Sequence, residues 1–114
     1  MTQDAGNKSL FTVASGETVT VSLDSVQCNC LTSAGFEGHA LTKQSSAPDT
    51  YSFSVNGNSG DQKLFAGVCT FPTGTPAFAR YTVQVSSDQG GSFSASAVIC
   101  QIPRVNFQLT FTVA

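Results

Sequence analysis

The segment "VNFQLTFTV" (105–113) alternates without a slip. Val105, Phe107, Leu109, Phe111 and Val113 fall on one side, and Asn106, Gln108, Thr110 and Thr112 on the other. Only an extended strand brings every second side chain to a common face, so this segment cannot bury its apolar set as a helix. The same rhythm recurs upstream. "TVTVSL" aligns Val19, Val21 and Leu23, "YSFSV" aligns Tyr51, Phe53 and Val55, and "YTVQV" aligns Tyr81, Val83 and Val85. Each reads as a half-buried strand of an antiparallel sheet, rich in the β-branched and aromatic residues that suit a pleated surface.

Two further runs lose the alternation. "KLFAGVCTF" is apolar on both faces and predicts a central strand over Lys63–Phe71; "SFSASAVIC" begins alternating and ends continuously apolar, as for a strand entering the interior. Shorter strands are expected at Ser9–Val13, Val26–Leu31 and His39–Lys43. Between them, "ASGE" (14–17), "NGNSGDQ" (56–62) and "SSDQGG" (86–91) carry the Gly and Asx residues of hairpin connections. "SSAPD" and "FPTGTPAFA" are proline-containing loops. About nine short strands and no amphipathic helix predict an all-β fold: an antiparallel two-sheet sandwich, Ig-like or jelly-roll-like.

With 114 residues, 40% hydrophobic and nine of them Phe, the chain suffices for one domain (1–114) with one core, led by a flexible segment over residues 1–8. No apolar run reaches the roughly 20 residues of a membrane-spanning helix, so membrane insertion is not expected. No secretory leader stands at the start, so export would mean that a leader has been removed. Five basic and seven acidic residues leave a net charge of −2. Lys8, Lys43, Lys63, Arg80 and Arg104 are scattered, which argues against nucleic acid and anionic membranes as partners.

The four cysteines bear on compartment. In a strand, Cys28 and Cys30 of "SVQCNCLT" point the same way, too far apart along an extended backbone to bond each other. Cys69 lies in the central strand and Cys100 ends "SAVIC", so the simplest arithmetic pairs the two neighbours with these two, in either order. A four-cysteine zinc site is the rival, but structural zinc sites favour pairs spaced by two to four residues. Free or partly paired thiols come second to two disulfides, ahead of the metal site. Two disulfides imply an extracellular or periplasmic location.

Catalytic signals are thin. His39, in "GFEGHALT" near Glu37, is the one histidine, with no nucleophile motif around it, and its plain reading is a histidine at a loop edge. The seven carboxylates form no EF-hand loop or recognisable acid pair. Asp61 and Asp88 suit calcium in principle, though ordinary turn chemistry accounts for both. Asn7-Lys8-Ser9 matches a glycosylation acceptor, a triplet that arises often by chance. No cofactor is implied. The chain contains no tryptophan. Phe36 and Phe78 are expected in loops, where strand pairing does not explain an aromatic ring. The binding candidates are therefore Phe36, Glu37 and His39 in Ser33–His39, Asn56, Asn58 and Asp61 in Asn56–Gln62, and Phe78 in Thr73–Ala79. The patch favoured is one that joins Phe36 with Phe78.

"FTVASGETVTVSL" and the later "ARYTVQVSSDQGGSFSASAV" resemble the rhythm of bacterial pre-peptidase C-terminal domains, secreted β-sandwich modules attached to hydrolases. The resemblance covers about half of the chain and rests on hairpin pattern; the cysteines and the final strand lie outside it, and the Asp-rich segment expected after the first hairpin reads "DSVQCNCLTSAG". It implies a secreted sandwich module belonging to a larger protein and carries over no site residues. The alternating last strand is also similar to the design of fimbrial subunits and adhesins, whose sheet edges are completed by a neighbour's strand. Taken together, the expectation is a secreted or surface-exposed binding module for a glycan or, next, a protein ligand. The alternative is a fimbrial or adhesive structural subunit assembling through sheet edges, and a small hydrolase-type enzyme comes third.

Overall fold

A computed structural model describes residues 1–3, 10–25, 31–46, 48–70, 78–100 and 104–114. The described residues form strands and no helix: β1 (Thr2–Gln3), β2 (Leu10–Val13), β3 (Glu17–Ser25), β4 (Leu31–Phe36), β5 (His39–Ala40), β6 (Asp49–Val55), β7 (Gln62–Thr70), β8 (Phe78–Ser87), β9 (Ser92–Cys100) and β10 (Arg104–Val113). Sheet A has the order β1-β2-β10-β7-β4-β5 and sheet B the order β6-β3-β8-β9. All pairings are antiparallel except β2 with β10, which run in the same direction with Leu10 opposite Thr110 and Val13 opposite Val113. The two-sheet antiparallel sandwich expected from the alternation is the fold.

The alternation also decides what is buried. Val19, Val21 and Leu23 of β3, Tyr51, Phe53 and Val55 of β6, and Leu109, Phe111 and Val113 of β10 all lie in the core. Among the described residues six phenylalanines tie the sheets together, Phe93 of β9 meeting Phe11 of β2 edge-on (5.9 Å). Phe36 stacks on Phe53 (ring centroids 4.3 Å apart), Phe53 on Phe65 (5.4 Å), and Phe111 contacts Phe11 (5.2 Å), Phe53 (5.5 Å) and Phe36 (6.3 Å). Such ring pairs add about 0.5–1.5 kcal/mol each beyond the area they bury. The opposite face of sheet B is hydroxylated: Thr20 meets Ser52 (2.9 Å) and Thr18 meets Ser54 (3.5 Å), with Ser22, Gln84, Ser86, Ser92 and Ser94 continuing it.

Several strands differ from expectation. β7 sits inside sheet A as predicted, but its apolar outer residues are few, Leu64, Ala66 and Val68. His39–Lys43 shrinks to the two residues of β5, and "SVQCNCLT" is split between the end of β3 and the start of β4, with 26–30 outside the described residues. The start of the chain is docked at its first residues, where a flexible segment was expected. Thr2 and Gln3 pair with β2, and the Met1 amino group lies 3.1 Å from Glu17 Oε1. Residues 4–9, including Asn7-Lys8-Ser9, lie outside the described ones.

Glu17 shares the core-facing side of β3 yet is held as a carboxylate near the surface, covered by Met1. Its oxygens accept hydrogen bonds from the Ala14 N–H (2.6 Å), the Ser87 hydroxyl (2.5 Å) and the amino terminus. Burial pushes its pKa up, but these donors together outweigh that effect and hold it below the ordinary carboxylate value. A second buried carboxylate, Asp49, accepts from the Leu31 N–H (3.0 Å) and makes an ion-pair contact with Lys43 (3.0 Å), pinning the start of β4 to β6.

Candidate functional site

The strand directions sort the loops between two ends of the sandwich. Phe36 pairs with Phe65, and Glu17 with Val55, so the β4–β5 hairpin and the β6–β7 loop lie together at one end. Leu31 pairs with Cys69, Tyr81 with Ser25, and Phe78 with Cys100, so these residues mark the other end. A patch joining Phe36 with Phe78 therefore does not form. Phe36 is not a loop residue either. It ends β4, is 6% exposed and stacks in the core, because its place in the strand shares a face with Ala34. Phe78 begins β8, and its side chain lies outside the described residues.

The other expected residues do converge. Glu37 and Gly38 form the two-residue turn between β4 and β5, both with positive φ (54° and 78°), the backbone signature of a type I′ hairpin. Glycine is at home there, whereas a glutamate in the left-handed region is strained by about 1–2 kcal/mol. Its carboxylate reaches across to Lys63, with Oε1 2.7 Å from Nζ, while its N–H donates to Leu64 O (3.0 Å). That hydrogen bond raises the Lys63 pKa, against partial desolvation, and the charges of Glu37 and Asp61 reinforce it. Asp61 closes its own loop by accepting from the Asn58 N–H (2.8 Å). Asn56 and Asn58 are exposed on that loop. Asp61 thus performs turn chemistry, whereas Asp88 ties the β8–β9 hairpin to β3, its carboxylate accepting from the Thr18 N–H (2.9 Å) and its own N–H donating to the Thr18 carbonyl (3.0 Å).

Beside this polar rim, the outer face of sheet A sinks into a depression of about 380 Å³ lined by Ser33, Ala34, Gly35, Gly38, His39, Ala40, Leu64 and Ala66. Its shape comes from small residues on three adjacent strands. At Gly35 a Cβ would stand 3.1 Å from the His39 carbonyl oxygen, so a side chain there would crowd β5. Leu64, 41% exposed, is the one exposed large apolar side chain among the described residues. His39 stands exposed at the margin. Sequence reading located His39 and Glu37 but missed Leu64 and Gly35. "KLFAG" reads as interior on both faces, and nothing local shows that one face is open.

The depression offers an apolar floor, an imidazole and a hydroxyl, and the Glu37–Lys63 ion pair stands on the neighbouring hairpin end outside its lining. Cys69, the thiol whose side chain is described, is buried at the far end of β7, unbonded, with its pKa pushed up to about 12 by burial and then by Asp49. The expected pairing of Cys69 is thus not present in this structure. Cys28 and Cys30 lie outside the described residues, as does the side chain of Cys100. Among the described residues no group of three His, Cys, Asp or Glu side chains is placed to hold a metal ion, and no helix is long and apolar enough to cross a membrane. Comparison with protein-family models, curated proteins and solved structures finds no match to the chain.

Proposed function

We propose that this domain is a binding module of a secreted or surface-exposed protein, and that it takes a carbohydrate in the depression beside the β4–β5 hairpin. The observation that carries the reading is the strained Glu37. A left-handed glutamate persists only where its surroundings over-determine it, and such strain gathers at binding sites. Here it holds a carboxylate and an ammonium 2.7 Å apart on the hairpin whose Gly38 and His39 line the apolar floor. Leu64, Ala66 and Gly35 suit the apolar face of a sugar ring, while Ser33, His39, Glu37 and Lys63 supply hydrogen-bonding groups for its hydroxyls. A floor built on paired strands also needs little reordering to bind, which favours affinity.

Secretion belongs to the same reading. The described neighbours of Cys28 and Cys30, Ser25 and Leu31, lie at the end of the sandwich where Cys69 and the backbone of Cys100 also lie. In an oxidising compartment the four cysteines would close as two disulfides there, away from the depression.

A glycan array, followed by calorimetry on any hit, tests the binding reading with wild type, Leu64→Ala and His39→Ala. Binding is expected in wild type and a loss of tenfold or more in Leu64→Ala, at an unchanged melting temperature for a residue so exposed. Equal binding by all three clears the depression of the role. No glycan binding by wild type moves the reading to a protein ligand.

A further inference from the structure

The edges of the two sheets are unlike one another. Sheet A ends in two-residue strands on both sides, β1 and β5. β6, at one edge of sheet B, begins with the carboxylate Asp49 just after Pro48 and is bridged at Thr50 by Ser45. Shortness, charge, proline and a covering segment are the means by which proteins blunt an edge whose unpaired N–H and C=O groups would otherwise recruit another strand. β9 forms the remaining edge and, among the described residues, has none of them along its length; Met1 stands against Gly91, just before its first residue. The strand runs for nine residues, pairs with β8 along its whole length, and carries no described strand on its outer side. Its sequence, "SFSASAVIC", contains neither a charge nor a proline.

We infer that two copies of this chain associate through β9, the strands pairing antiparallel about Ser96 so that sheet B continues across a two-fold axis. Self-pairing is favoured over a foreign strand by symmetry and charge. A two-fold axis sets each position of β9 against its counterpart reflected through the midpoint, with 92 facing 100, 94 facing 98 and Ser96 facing itself. A charged residue at the midpoint would meet its own sign there, and like charges directly opposite destabilise a strand pair. β9 is uncharged throughout, and the protein's net charge of −2 adds little repulsion at longer range. The small central residues Ala95, Ser96 and Ala97 suit close approach of two backbones. Opposed residues in an antiparallel pair share a face. The hydroxylated surface that includes Thr20, Ser22, Ser86, Ser92 and Ser94 therefore runs on from one copy into the next. The ligand depression lies on sheet A, so this association stands apart from the binding reading.

Sedimentation velocity over roughly a hundredfold range of concentration reads the mass-action shift directly. Wild type is expected to rise from 11.8 kDa toward twice that mass. Ser96→Lys and Ser96→Glu each place like charges at the midpoint and should weaken association at least tenfold. Their equimolar mixture should restore a one-to-one dimer, because opposite charges then meet. Circular dichroism melts of both variants separate lost association from lost folding, and recovery in the mixture does so independently. A monomeric wild type at the highest concentration overturns the proposal, and so does association of folded Ser96→Lys with wild-type strength.

Discussion

Leu31 lies directly opposite Cys69 in the ladder between β4 and β7, and Cys30 is the residue before Leu31 in sequence. The buried Cys69 sulfur, pushed up to about 12, is a poor nucleophile at neutral pH. Oxidation at this end of the sandwich therefore depends on an attack by another thiol or on an oxidising catalyst. Peptide mapping of protein exported to an oxidising compartment is expected to show Cys69 and Cys100 each bonded to one member of the Cys28–Cys30 pair. Loops of this length contribute about 4–4.5 kcal/mol each on the chain-entropy model. Four alkylatable thiols in exported protein would remove both the bonds and the case for secretion.

The Glu37 turn yields a stability prediction with a definite sign. Asparagine accepts the left-handed conformation more readily than glutamate, so Glu37→Asn should recover about 1 kcal/mol of backbone strain. Urea unfolding is expected to show a midpoint equal to or above that of wild type. If ligand contact is why a glutamate is kept there, the same variant binds glycan more weakly. A midpoint well below wild type would show that the contact with Lys63 outweighs the strain.

Glu17 sets a pH dependence. Its folded pKa lies below the ordinary value of 4.5, so its contribution is complete above that pH and is lost as pH falls through the folded value. Glu17→Gln keeps the shape but loses charge-assisted bonds from Ala14, Ser87 and the amino terminus, at a cost of about 1–3 kcal/mol at neutral pH. Thermal melts of the two proteins should differ most at neutral pH and converge as pH falls below 4.5 through the lowered folded value. A gap that stays constant with pH would mean that the carboxylate's charge is not what matters.

Phe111 is the centre of the aromatic core, touching rings from β2, β4 and β6. Phe111→Ala is expected to cost about 3–5 kcal/mol, a large share of a small domain's stability. Removing residues 105–114 altogether should leave no cooperative melt, since β10 lies between β2 and β7 and buries Leu109, Phe111 and Val113. A folded truncation would show that β10 is dispensable and can be replaced at the centre of sheet A.

The sequence alone determined the class of fold and the sides of its strands. Period-two alternation in 17–23, 51–55 and 105–113 leaves one geometry in which the apolar set is buried, and the Gly- and Asx-rich clusters mark where the chain reverses. Those are local constraints, set by sterics and by the direction of neighbouring side chains. Tertiary structure alone decided which strands lie side by side, and the site depends on that. Phe36 looked available because it stands beside Gly35 and Glu37, but burial depends on what packs from the other sheet, and Phe53 lies 4.3 Å from its ring centre. Leu64 looked like interior because it sits in an apolar run, yet no layer covers that side of sheet A among the described residues. Glu37 and Lys63, 26 residues apart in sequence, meet because β4 and β7 are neighbours in a ladder. Strand order is a property of long-range pairing, whose free energy is shared among many residues distant in sequence, so no single segment reveals it.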